Sequence, residues 1–143
     1  MSGSNVGLPA SNRPTAFFSR TFDEAMALTR EARDYLRDYG DEDSRSLEPA
    51  VGLHFAVETM RLTARLTNIV AWLLAQRAVH QGELSREELR EEAWRLGAQD
   101  VCLGEPPVDP EALPPYLCDL LRRSERLFQR IARLDEMVAA DIS

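Results

Sequence analysis

The chain has 143 residues, of which 44% are hydrophobic, enough for one core and too few for two. Its formal charge of −7, from 17 basic and 24 acidic residues, argues against a general phosphate-binding surface, because nonspecific nucleic-acid affinity rests on cations that displace counterions. All 17 basic residues are arginine, which excludes Schiff-base lysines, phosphate-loop lysines and acetylation switches.

Residues 1–16 (MSGSNVGLPASNRPTA) are small and polar, with no apolar signal core. They read as a disordered N-terminal segment before a single helical domain over 17–143, and the expected location is the cytoplasm. A first helix is predicted from about Phe18 to Tyr39, with Phe18, Phe22, Ala25, Met26, Thr29, Ala32, Leu36 and Tyr39 as its inner stripe. Gly40 is expected to end it, and Asp41–Leu47 to form a polar loop in which Ser44 or Ser46 caps the next helix, with Pro49 in that helix's first turn.

The second helix, expected to reach about Gln81, is the most informative segment. Leu53, Val57, Met60, Ala64, Ala71, Leu74 and Ala78 fall on one face, and Phe55, Leu62, Leu66, Ile69 and Leu73 on the other. A single bundle buries one broad face of a helix. The second stripe therefore predicts a homodimer, with Phe55, Leu62, Leu66, Ile69 and Leu73 assigned to its interface. The apolar run from Ile69 to Ala75 is bounded by Arg65 and Arg77, too short for a membrane span of about 20 residues. Gly82 suits the helix stop.

Ser85 to Glu88 (SREE) is a capping-box pattern that opens a short helix to about Leu96, with Leu89, Ala93 and Leu96 inward and Gly97 after it. Glycine and proline clusters make Ala98–Pro115 an irregular connector. The last helix spans about Tyr116–Ala140, with Leu117, Leu120, Leu121, Ser124, Leu127, Phe128, Ile131, Leu134 and Val138 inward. No segment alternates with period two. The predicted fold is all-α, an antiparallel helical bundle of three long helices plus one short one, homodimeric.

FFSRTFDEAMALTREARDYL (Phe17–Leu36), TMRLTARL (Thr59–Leu66), AWLLAQRAVHQGELS (Ala71–Ser85) and RSERLFQRIARLDEM (Arg123–Met137) together resemble the RcdA family, named for an alphaproteobacterial regulator of CtrA degradation. The resemblance covers nearly all of the chain beyond residue 16. It implies a homodimeric helical bundle and a non-enzymatic adaptor that helps ClpXP degrade cell-cycle regulators. The implied partners are ClpXP, a CpdR-like receiver-domain protein, a PopA-like adaptor and cargo proteins. No individual binding residue is carried over.

Arg122, Arg126, Arg130 and Arg133 lie within about 80° on the last helix, opposite its apolar stripe. They form either a solvated face or a docking surface for an acidic partner such as a receiver domain. Trp72 lies between the two stripes of the long helix, where it either covers a seam or, if exposed, anchors a partner. His54 and His80 have no metal-ligand spacing, and HxxE from His80 to Glu83 lacks a matching motif on another helix. Cys102 and Cys118, 16 positions apart and without CxxC, read as small buried hydrophobes. No cofactor, metal or nucleic-acid partner is expected, and no phosphate loop or catalytic carboxylate pair suggests an enzyme. The alternative is a helical dimeric DNA-binding or transcription-associated regulator.

Overall fold

A computed structural model describes residues 12–88, 95–97, 99–102 and 110–142, and all regular structure among them is helical. Helix α1 spans Asn12–Tyr35. It starts before the expected Phe18 and takes in residues 12–16, assigned from the sequence to a disordered segment. Pro14 falls in its first turn, where a missing N–H forfeits no helical bond.

Gly40 does not end this helix. A π-helical turn, Leu36–Gly40, continues it into α2, Asp41–Arg45, so the expected polar loop is largely helical. A glycine stops a helix by adopting positive φ, whereas Gly40 keeps a helical φ of −57°. The wider π-turn shifts the phase of the inner stripe. Tyr35 is buried, and Tyr39, expected inside, is 59% exposed.

Helix α3 runs Pro49–His80. Its N-cap residue is Glu48, in extended conformation with no side-chain cap, so neither Ser44 nor Ser46 caps it; the hydroxyl of Ser46 donates to the carbonyl of Asp43. Pro49 supplies a preset φ at the first helical position. At the other end Gly82 takes φ +78°, the amide of Glu83 donates to the Ala78 carbonyl (2.8 Å) and that of Gly82 to Val79 (3.1 Å). This is a Schellman stop.

The capping box at Ser85 forms reciprocally: the Ser85 amide donates to Glu88 Oε1 (3.0 Å) and the Glu88 amide to Ser85 Oγ (3.1 Å). The short helix expected beyond it falls mainly on 89–94, outside the described residues. The connector then presents α4, Gln99–Cys102, and a 3₁₀ turn, Pro110–Ala112, before α5, Pro115–Ile142.

Cross-helix contacts give the directions. Phe18 meets Trp72 and His80, and Glu24 and Glu31 pair with Arg130 and Arg123, so α1 is antiparallel to both α3 and α5. Arg65 reaches Leu121 and Ser124, and Trp72 reaches Asp135, so α3 and α5 run the same way. Two of the three long helices are thus parallel. Of the described residues between α3 and α5, Arg95 lies beside Asp135 and Cys102 beside Arg65, so the chain runs back along both helices from Arg95 to Cys102. Gly97 packs tightly on α3; a Cβ there would stand 3.2 Å from Asn68 Oδ1.

Candidate interaction surfaces

The two stripes of α3 exchange the roles assigned to them from the sequence. Phe55, Leu62, Leu66, Ile69 and Leu73 are all buried within the protomer, against Ala25, Leu28 and Ala32 of α1 and Leu120, Phe128 and Ile131 of α5 in one core. They cannot form a dimer interface while the protomer is folded. The exposed stripe is the other one, with Leu53 at 68%, Met60 at 72%, and Val57 and Leu74 each at 45%. Met60 and Ala64 line a shallow groove with Leu36, Thr59 and Thr63.

The buried arc of α3 widens past its apolar stripe into polar positions, among them Arg65 and Trp72, which have partners on other elements. Trp72 is 3% exposed and its Nε1 donates to Asp135 Oδ1 at 3.0 Å. It covers a seam between helices and offers no anchor to a partner protein. Asp135 is itself buried and takes a bidentate pair from Arg95 of the connector, with Nε and Nη2 each 2.9 Å from Oδ2. Arg65, equally buried, donates to the carbonyls of Cys102 (2.7 Å) and Leu121 (3.1 Å) and to Ser124 Oγ (3.1 Å). Burial lowers its pKa, and the nearby Glu125 and Glu58 oppose that shift. The chain between α3 and α5 is therefore tied to them by two guanidinium contacts, the buried Arg65 at Cys102 and the partly exposed Arg95 at Asp135.

The arginine stripe divides. Arg130 is tied to Glu24 of α1 at 2.5 Å, and Arg122 reaches Asp119 at 3.6 Å. Arg126 and Arg133 are exposed, and among the described residues no carboxylate lies within ion-pair distance of either. Arg123, outside the stripe, bonds two carboxylates: Nη2 is 2.6 Å from Glu31 Oε2, and Nη1 is 3.0 Å from Asp119.

Near that pair lies a feature that the sequence reading missed. Tyr35 stacks on Tyr116, with centroids 5.3 Å apart and planes 13° from parallel, and on its other neighbour Tyr39 at 6.5 Å. The three tyrosines, with Glu31, Asp34, Asp38 and Asp43, line an open cleft of about 450 Å³. The hydroxyls are fixed: Tyr35 donates to Asp43 (2.6 Å) and Tyr116 to Glu31 (2.7 Å). Hydrogen bonds from Arg123, and then from Tyr116, pull the Glu31 pKa down to about 2. Burial, reinforced by Asp43, pushes the Tyr35 phenol well up, so both groups keep their ordinary charge near neutrality.

His54 is exposed; His80 is exposed too and rests its ring near Phe18 (5.8 Å). Cys102 is buried and Cys118 half-buried, and among the described residues they form no disulfide. Among the described residues no three His, Cys, Asp or Glu side chains gather as a metal site, and no helix is long and apolar enough to cross a membrane.

Residues 11–143 match a family described as "Protein of unknown function (DUF1465)". No curated protein matches the chain. Among solved structures the chain is similar to RcdA from Caulobacter crescentus CB15, at 39% identity over 86% of this chain and 91% of that one, with a TM-score of 0.69. A match across nearly the whole length, joined to a shared fold at this identity, means that the chain belongs to the RcdA family, the DUF1465 family of helical proteins.

Proposed function

We propose that this protein is a non-enzymatic adaptor that delivers regulatory proteins to ClpXP by protein docking. The likeness to RcdA, at 39% identity over 86% of the chain, carries this reading. The family resemblance implies work alongside a CpdR-like receiver-domain protein and a PopA-like adaptor. Arg126 and Arg133 are the surface cations we assign to an acidic partner of that kind, because exposed guanidinium groups with no ion-pair partner among the described residues can pair with a partner's carboxylates. The test is a reconstituted ClpXP assay with the receiver-domain protein present: adding the chain should speed loss of a cargo protein, and Arg126→Glu with Arg133→Glu should weaken that effect. Cargo turnover that stays flat across a wide range of adaptor concentration overturns the reading.

We further propose that the adaptor is a homodimer through the outer stripe of α3, Leu53, Val57, Met60 and Leu74. Two copies of this stripe would hide side chains that each contribute roughly 1.5–3 kcal/mol on full burial, before ordering costs. Light scattering of the wild type at micromolar concentration should give the mass of two chains, and Met60→Glu should give one chain with helicity intact. A wild-type mass of one chain sinks this assignment.

A further inference from the structure

Among the described residues, the tyrosine cleft has a mainly aromatic wall and a polar lining of a single sign of charge. Tyr39, Tyr35 and Tyr116 form its wall, and the rest of its lining is Glu31, Asp34, Asp38 and Asp43, with no cation among them. Two of these carboxylates are engaged by the wall itself, Asp43 by Tyr35 and Glu31 by Tyr116 and Arg123. Those bonds fix the hydroxyls of Tyr35 and Tyr116 and leave the π-faces of these rings electron-rich. Among the described residues, the other two, Asp34 and Asp38, pair with Arg33 and Arg37, whose side chains are 61% exposed. Such surface pairs are worth about 0–1 kcal/mol and exchange readily for a better partner.

From this wall and charge we infer that the cleft takes an arginine side chain from an exposed basic segment of a partner protein. A guanidinium is planar, so it can lie against a tyrosine face while its edge donates to Asp34 or Asp38. A volume of about 450 Å³ holds that side chain with the backbone on either side of it. An ammonium could meet the same carboxylates but lacks the plane that the ring stack matches. The inference does not depend on the adaptor reading, because it concerns binding to the isolated protein.

The test is fluorescence anisotropy of a short labelled glycine–arginine peptide with the full-length chain, beside the same peptide carrying lysine or citrulline for arginine. The arginine peptide should bind best, the lysine peptide about fivefold more weakly, and the uncharged citrulline peptide not at all. Tyr39→Ala and the double change Asp34→Asn with Asp38→Asn should each lower arginine-peptide affinity by about fivefold or more, with the helical circular dichroism unchanged. Glu83→Gln with Glu87→Gln removes the same charge at a distance and should leave affinity within about twofold. Three results overturn the inference: no binding of the arginine peptide, equal binding of the arginine and citrulline peptides, or equal losses from the cleft and the distant carboxylate pairs. The last would mean that the peptide follows net charge alone.

Discussion

Helix α3 carries two apolar faces of similar length, and only one is inside. The inner face holds Phe55, Leu62, Leu66, Ile69 and Leu73, and the outer holds Leu53, Val57, Met60 and Leu74. Apolar area alone favours either choice about equally. What distinguishes them is the polar company. Beside the inner face stand Arg65 and Trp72, whose donors need acceptors once buried, and the core side provides these as the Cys102 and Leu121 carbonyls, Ser124 and Asp135. The comparison teaches that an apolar stripe says a face can be buried, while its polar neighbours say where.

The largest expected effect breaks or confirms that asymmetry directly. Ile69→Ala or Leu62→Ala should cost about 2–5 kcal/mol in urea unfolding, because each empties a fully enclosed site. Met60→Ala or Leu53→Ala should stay within about 0.5 kcal/mol at concentrations low enough to hold a single chain. Equal losses on the two faces would show that the outer stripe is packed within the protomer.

An intermediate effect is expected where the inner face recruits its polar partner. Asp135→Ala strands the Trp72 indole N–H and removes both bonds to Arg95, and should cost about 1–3 kcal/mol. Trp72→Phe keeps an aromatic ring against Phe18 but forfeits the hydrogen bond and the indole's second ring, and should cost about 1–3 kcal/mol. The two losses should be non-additive in the double variant, since they share one contact. Strict additivity would separate the indole from the carboxylate.

Much of this architecture was legible in the sequence because helix periodicity is a local property. The inner stripe of α5 was read nearly residue for residue, and Gly82 was identified as a stop before its positive φ was seen. Gly40 misled because composition does not reveal φ: both glycines follow an amphipathic run, but only Gly82 leaves the helical region. The parallel course of α3 and α5 was hidden in the connector, whose path is set by Arg95, Cys102 and Arg65 from distant parts of the chain. One long-range signal was present and unread. Asp135 stands four residues after Ile131 and seven after Phe128, in the middle of an apolar stripe, which calls for a buried donor. The tyrosine cleft left no such trace, since Tyr35 and Tyr116 are 81 positions apart and the π-turn sets the phase that places Tyr39.

The smallest expected effect contrasts the enclosed Asp135 with a carboxylate on the surface. Glu31 binds Arg123 and Tyr116 between α1 and α5, yet its side chain is 36% exposed, so solvent screens much of the gain. Its pKa falls from 4.5 to about 2 on folding, chiefly through the hydrogen bond from Arg123. A carboxyl whose folded pKa is depressed stabilises the protein fully above the unfolded value and loses that contribution as pH falls towards the folded one. After allowance for screening, Glu31→Gln should cost about 1 kcal/mol at pH 7. The difference from wild type should close as pH drops from about 4.5 towards 2, and shrink in high salt. The loss caused by Asp135→Ala should vary less with salt, because the carboxylate and the Trp72 indole are buried and only Arg95 is partly exposed. Unfolding free energies measured from pH 7 down to pH 3, at low and high salt, check both statements. A Glu31→Gln gap that ignores pH would mean that the hydrogen-bond geometry, and not the charge, joins α1 to α5 at this point.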